Sequence, residues 1–88
     1  MVPPFDVTEP WVKEINGVRM ENYIDWIQCC WMISITEAPS ISVPCGFTPA
    51  GLPVGLQIVG KRFDDLGVLQ AAAAFEQAQP WADKRPRL

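Results

Sequence analysis

Three serines and three lysines are the residues of this sequence whose types suit amide or ester cleavage: Ser34, Ser40 and Ser42, with Lys13, Lys61 and Lys84. A serine becomes a nucleophile when a neutral lysine within hydrogen-bond reach takes its proton, and a lysine is neutral when burial lowers its pKa. Nothing in the pattern places any of these lysines beside any of these serines. Ser40 and Ser42 fall on alternate positions of a strand-like run and read as ordinary sheet residues. The sequence contains no histidine. That removes Ser-His-Asp and Cys-His arrangements together with the commonest metal ligand. Cys29, Cys30 and Cys45 have neither zinc-site nor CxxC spacing. Neither G-x-x-x-x-G-K-[ST] nor GxGxxG occurs. Adjacent Asp64 and Asp65 precede an apolar run and read as a helix cap. The expectation is a chain with no catalytic residue, no metal and no cofactor of its own.

The elements that would position any site follow from the order of apolar and turn residues. Pro3, Pro4 and Pro10 forbid a helix at the start, so residues 1–20 read as an irregular lead-in. Within it, Asn16-Gly17 is a tight-turn signal, because both residues tolerate positive φ. Glu21 to Ser34 reads as a helix on the spacing of Tyr23, Ile27, Cys30 and Trp31, with few polar positions and therefore covered on most sides. Thr36-Glu37-Ala38-Pro39 ends it. Two apolar runs follow, 39–48 and 53–60, joined by a loop in which Gly51 is expected at positive φ. Pro44 lacks an N–H, so the first strand lies at an edge or bulges there. The second run is apolar except for Gln57, which predicts burial on both faces. Asp64 or Asp65 caps a helix from about Leu66 to Gln79, stopped by Pro80. Its apolar face centres on Val68, Leu69, Ala72 and Phe75, with Glu76 as a rim carboxylate or half of a salt bridge. The whole is one incomplete domain over 1–88, with 21–88 a helix-strand-strand-helix unit.

Composition narrows the function classes. The 88 residues are 49% hydrophobic, with four Trp and four Phe. A chain of this length buries only roughly 60–65% of its unfolded surface, so this apolar content implies packing against something else. A net charge of −3 with seven Lys and Arg argues against nucleic acid. Lys84, Arg85 and Arg87 form a short basic patch that reads as a solvated tail. An odd cysteine count fits a reducing compartment. No apolar run reaches the roughly 18 residues of a membrane span, and the first residues lack the basic and apolar regions of a signal peptide. The expectation is a cytoplasmic protein that does not enter membranes.

One stretch carries more than composition. The phrase SVPCGFTPAGLPVGLQIVG, then KRFDD, then VLQAAAAFEQAQPW, resembles the C-terminal portion of amidase-signature hydrolases, the family of bacterial amidases and glutamyl-tRNA amidotransferase A subunits. VPPFDV, ING and YIDW in the lead-in are similar to that family too, so the resemblance covers nearly the whole chain. It implies an α/β fold: a fragment of an α/β/α sandwich, about two helices on a short sheet containing the 39–48 and 53–60 strands. It implies carboxamide hydrolysis by a Ser-cis-Ser-Lys triad located earlier in the family's chain. No triad residue has a counterpart here, so no catalytic role passes to Ser34, Ser40, Ser42 or any lysine.

The same resemblance places residues 31–36 near the family's substrate pocket. Met32, Ile33 and Ser34 are then expected to line its acyl side in the complete protein. The family's usual glycine before the proline is Glu37 here, which calls for an altered backbone or an altered local contact. Three readings remain: an amidase fragment inactive alone, an interaction module that oligomerises through its apolar surface, or a subunit that completes an amidase in trans. The expected partners are accordingly the N-terminal amidase portion or a second copy.

Overall fold

The prolines at positions 3, 4 and 10 leave the first residues to be held by side chains. A computed structural model describes residues 2–85. The Asp6 carboxylate accepts from the Thr8 amide at 2.8 Å and from its hydroxyl at 2.7 Å, while the Glu9 amide donates to the Asp6 carbonyl. This is an Asx-type turn, the side chain replacing a backbone partner. Phe5 then meets Trp26 edge to face, with centroids 5.3 Å apart.

The Asn-Gly turn forms as expected. β1 (Glu14–Ile15) pairs antiparallel with β2 (Val18–Arg19). Asn16 at φ 51° and Gly17 at φ 79° supply the two left-handed residues such a hairpin needs.

The first helix starts later than its periodicity suggests. The Asp25 carboxylate accepts from the amides of Glu21 (2.8 Å) and Asn22 (3.3 Å), and the Asn22 side chain accepts from the Ile24 amide. These local bonds compete with helix formation and hold 21–24 in turns. A 3-10 turn over Asp25–Ile27 follows, and α1 runs Gln28–Thr36. No residue of α1 is buried, contrary to the expectation of a covered helix. The principal contacts of α1 are with the 3-10 turn before it.

β3 (Ser40–Phe47) and β4 (Pro53–Val59) make an antiparallel hairpin, Ser40 opposite Val59 and Phe47 opposite Pro53. The ladder slips between Pro44 and Gly46, so Cys45 is the extra residue of a bulge. Pro44 accounts for it, having no N–H to give. Gly51 turns the loop at φ 82°, and its amide donates to the Thr48 carbonyl at 2.8 Å.

α2 (Asp65–Ala78) is capped by Asp64, whose carboxylate accepts from the Gly67 amide at 3.0 Å. It crosses the hairpin and touches both strands. Gly60 permits the approach: a Cβ there would overlap Val68 Cγ2. Among the described residues the buried core is Val43, Val68 and Ala72. Phe75 is half-buried against Trp81, at 6.2 Å between centroids.

The two helices and two small antiparallel sheets have the α/β content expected of the fragment. Burial differs from expectation. Leu56 and Val59 of β4 are exposed, as are Leu66 and Leu69 of α2. Leu56 pairs with the buried Val43 and shares its side of the hairpin, where α2 covers it only in part. Val59 lies on the opposite side with Ser40, Ser42 and Gln57, which no helix among the described residues covers. The accessible surface is 6872 Å² for 9.8 kDa, against about 5,200 Å² for a compact monomer of that mass. The radius of gyration is 14.9 Å, against about 12 Å for a globule of this length.

Candidate functional site

Ser34 sits in the last turn of α1, and its hydroxyl donates to the Cys30 carbonyl at 3.1 Å. Such a back-bonded serine is engaged with its own helix rather than with a base. Ile33 is half-buried, and Met32 is 49% exposed on another side of the helix. Ser40 and Ser42 lie exposed on β3. Among the described residues no hydrogen bond joins any of these serines to a lysine; Lys13 instead pairs with Glu9 at 3.6 Å. Glu76 is exposed on α2. No group of three or more metal-ligating side chains occurs among the described residues. The three cysteines are free thiols. Local desolvation raises the pKa of the exposed Cys30, and the Cys29 thiol at 3.9 Å raises it further. Both effects disfavour the thiolate, the form that attacks carbonyls.

The end of α1 is where the structure adds most. Glu37 follows the helix in the left-handed conformation, φ 57° and ψ 20°, and its amide donates to the Ser34 carbonyl. This is the place glycine usually occupies. The backbone of Glu37 keeps a glycine-like geometry, and the contact is what is new: its carboxylate pairs with Arg62, beyond β4. Arg62 also lies over the Phe63 ring, 4.8 Å from its centroid, and Phe63 has φ 66°. The end of α1 is thereby tied to the turn that launches α2. No spacing rule links positions 37 and 62, although a glutamate at a helix-ending position is visible in the sequence.

Among the described residues, three hollows flank the framework. The largest of these three, about 670 Å³, lies between the lead-in, the β1–β2 hairpin and the 3-10 turn, with Arg19, Asp25 and Trp26 on its walls. The second, about 240 Å³, opens beside the β3 bulge. The third, about 310 Å³, lies between the start of β3 and the first turn of α2. Met32, Ile33 and Ser34 line none of the three.

A hairpin with one helix across it, open apolar sides and no nucleophile–base pair among the described residues define a structural segment of a larger fold. The family model described as Amidase matches residues 2–69, and the chain belongs to that family. It is 54% identical over 56 residues to the A subunit of glutamyl-tRNA(Gln) amidotransferase from Thermodesulfovibrio yellowstonii, covering 64% of this chain and 12% of that protein. Over 64 residues it is 53% identical to the corresponding Methanosarcina mazei protein, covering 73% of this chain and 13% of the relative. An acylamidase of Rhodococcus erythropolis is 46% identical over 66 residues, or 75% of this chain and 14% of its own length. The chain thus spans 12–14% of the length of these curated relatives. No solved structure matches it significantly. No helix among the described residues is long and apolar enough to cross a membrane.

Proposed function

We propose that this chain is the C-terminal segment of an amidase-type hydrolase, and that carboxamide hydrolysis requires the remainder of the amidase fold. The carrying observation is the mismatch between family and core. The segment belongs to the amidase family, yet Val43, Val68 and Ala72 are all it buries among the described residues, while Trp31, Ile35, Leu56, Leu66 and Leu69 stay exposed. Large apolar side chains left open in this number mark a surface that packs against another part of the protein. The segment completes a core and supplies no nucleophile.

Within the complete enzyme, Met32, Ile33 and Ser34 line the acyl side of the substrate pocket. Their position in the last turns of α1, just before the left-handed Glu37 and the Ser-Val-Pro strand, supports this assignment. Ser34→Ala in a full-length relative is expected to shift the preference among acyl groups; unchanged selectivity overturns it. The site of action is the cytoplasm, consistent with three free thiols.

The decisive assay measures ammonia release from simple carboxamides by the purified chain, alone and mixed with an amidase lacking the matching segment. The expected result is no turnover alone. Turnover by the chain itself would overturn the proposal, and recovery of activity in the mixture would favour completion in trans. The exposed apolar sides also favour a second reading, self-association, which light scattering tests directly; a strict monomer at all concentrations rules it out.

A further inference from the structure

The hollow beside the β3 bulge is built by contacts that neither the hairpin nor the helix needs by itself. The bulge takes the Cys45 carbonyl out of the ladder, and the Gln79 side-chain amide donates to it at 3.0 Å. The Cys45 thiol turns the other way, to the Val54 carbonyl at 3.4 Å. Pro80 stops α2, and Trp81 folds back beside Phe75. Between these fixed points lies a space of about 240 Å³ with walls of Pro44, Phe47, Pro53 and Trp81. Lys84 and Arg85 also line it. The Arg85 guanidinium is held by one nitrogen, which donates to the carbonyls of Ala82 (2.6 Å) and Lys84 (3.1 Å). Its remaining N–H groups keep the fork geometry that suits a carboxylate. Asp83 lies in the same turn but does not line the space.

We propose that this hollow binds a small apolar monocarboxylate, its ring or branched chain against Phe47, Pro53 and Trp81 and its carboxylate on Lys84 and Arg85. The size sets the class. At about 240 Å³ the space falls below the roughly 300 Å³ where drug-sized pockets begin, so a one-ring or branched-chain ligand suits it. The charge sets the sign: two cations stand at this one place on a protein of net charge −3. The inference does not rest on the hydrolase reading, since a chain with no turnover can still bind.

The test is a titration of the isotope-labelled protein with phenylacetate, read at the indole N–H resonance of Trp81, which Trp81→Phe identifies. A saturable shift is expected with a Kd on the order of 1 mM, as befits a one-ring ligand at an exposed charge pair. Phenethylamine, the same ring with the opposite charge, should leave that resonance unmoved. In Lys84→Ala/Arg85→Ala the Kd should rise about tenfold. No saturable shift up to about 20 mM phenylacetate, or an equal response to phenethylamine, overturns the proposal. The comparison of the two ligands uses the unaltered chain, so it stands whether or not the double variant folds.

Discussion

Glu37 and Arg62 form an ion pair across 25 positions of sequence, the carboxylate belonging to a residue in the left-handed conformation at the end of α1. Both side chains are more than half exposed, so the pair itself contributes little. Its consequence is geometric. The hairpin runs out and back between the two residues, and the pair joins the chain entering β3 to the chain leaving β4.

Two opposed effects meet at Glu37. A left-handed residue with a Cβ costs about 1–2 kcal/mol, and glycine removes that cost. Loss of the exposed pair costs at most roughly 1 kcal/mol. Glu37→Gly is therefore expected to be as stable as the unaltered chain or more so, while Glu37→Ala, which keeps the strain and loses the pair, is less stable than Glu37→Gly by about 1 kcal/mol. Urea titration followed by circular dichroism orders the variants; Glu37→Ala above Glu37→Gly would contradict the assignment.

Gly60 is needed where β4 gives way to α2. A Cβ placed against Val68 Cγ2 forces the buried Val68 side chain, or the helix that carries it, to shift. Gly60→Ala should destabilise by about 1–3 kcal/mol, and Val68→Ala in the same chain should recover part of that, since the two changes share one space. Additive losses in the melting curves would show that the close approach is not what Gly60 provides.

Asp64 is the cap of α2. Asp64→Ala leaves the Gly67 amide without its partner and is expected to cost about 1 kcal/mol. Asp64→Asn should retain most of the stability. Hydrogen exchange at the Gly67 amide reports the bond directly, and an unchanged rate in Asp64→Ala would count against it.

Asp6 carries the pH dependence of the lead-in. The Thr8 hydroxyl, then the Thr8 amide, donates to its carboxylate and lowers its pKa from the ordinary value. A depressed folded value means that the turn is favoured above the unfolded aspartate pKa, about 3.9, and loses that support as the pH falls through the folded value. The Thr8 amide resonance should move with the Asp6 carboxyl on acid titration, with a midpoint below that of Asp6 in a Thr8→Ala chain. Coincident midpoints would exclude the hydroxyl as the cause.

Features governed by near neighbours are legible in the order of residues alone. Asn16-Gly17 names its turn and Gly51 its positive φ, because only particular side chains tolerate that backbone. Pro44 implies an edge or a bulge, and the bulge is what forms, because a residue without an N–H cannot serve a ladder. The wording of residues 42–60 identifies the family. The later start of α1 is out of reach, since helical periodicity says nothing of the three amides taken by Asn22 and Asp25. The pocket assignment of Met32, Ile33 and Ser34 rests on resemblance, and these residues line none of the three hollows described above.

The sequence by itself determined the turns, the cap and the hairpin, which follow from short-range sterics and hydrogen bonding, and its wording identified the family. Only the tertiary structure decided which apolar sides are covered, that Glu37 meets Arg62, and that Gln79 holds the Cys45 carbonyl beside an apolar hollow. The physical reason is the range of the forces. A residue's conformation depends on its neighbours in the chain, whereas its burial and its ionic partner depend on groups brought close in space, so that Val43 is buried under α2 while its partner Leu56 on the same side stays exposed.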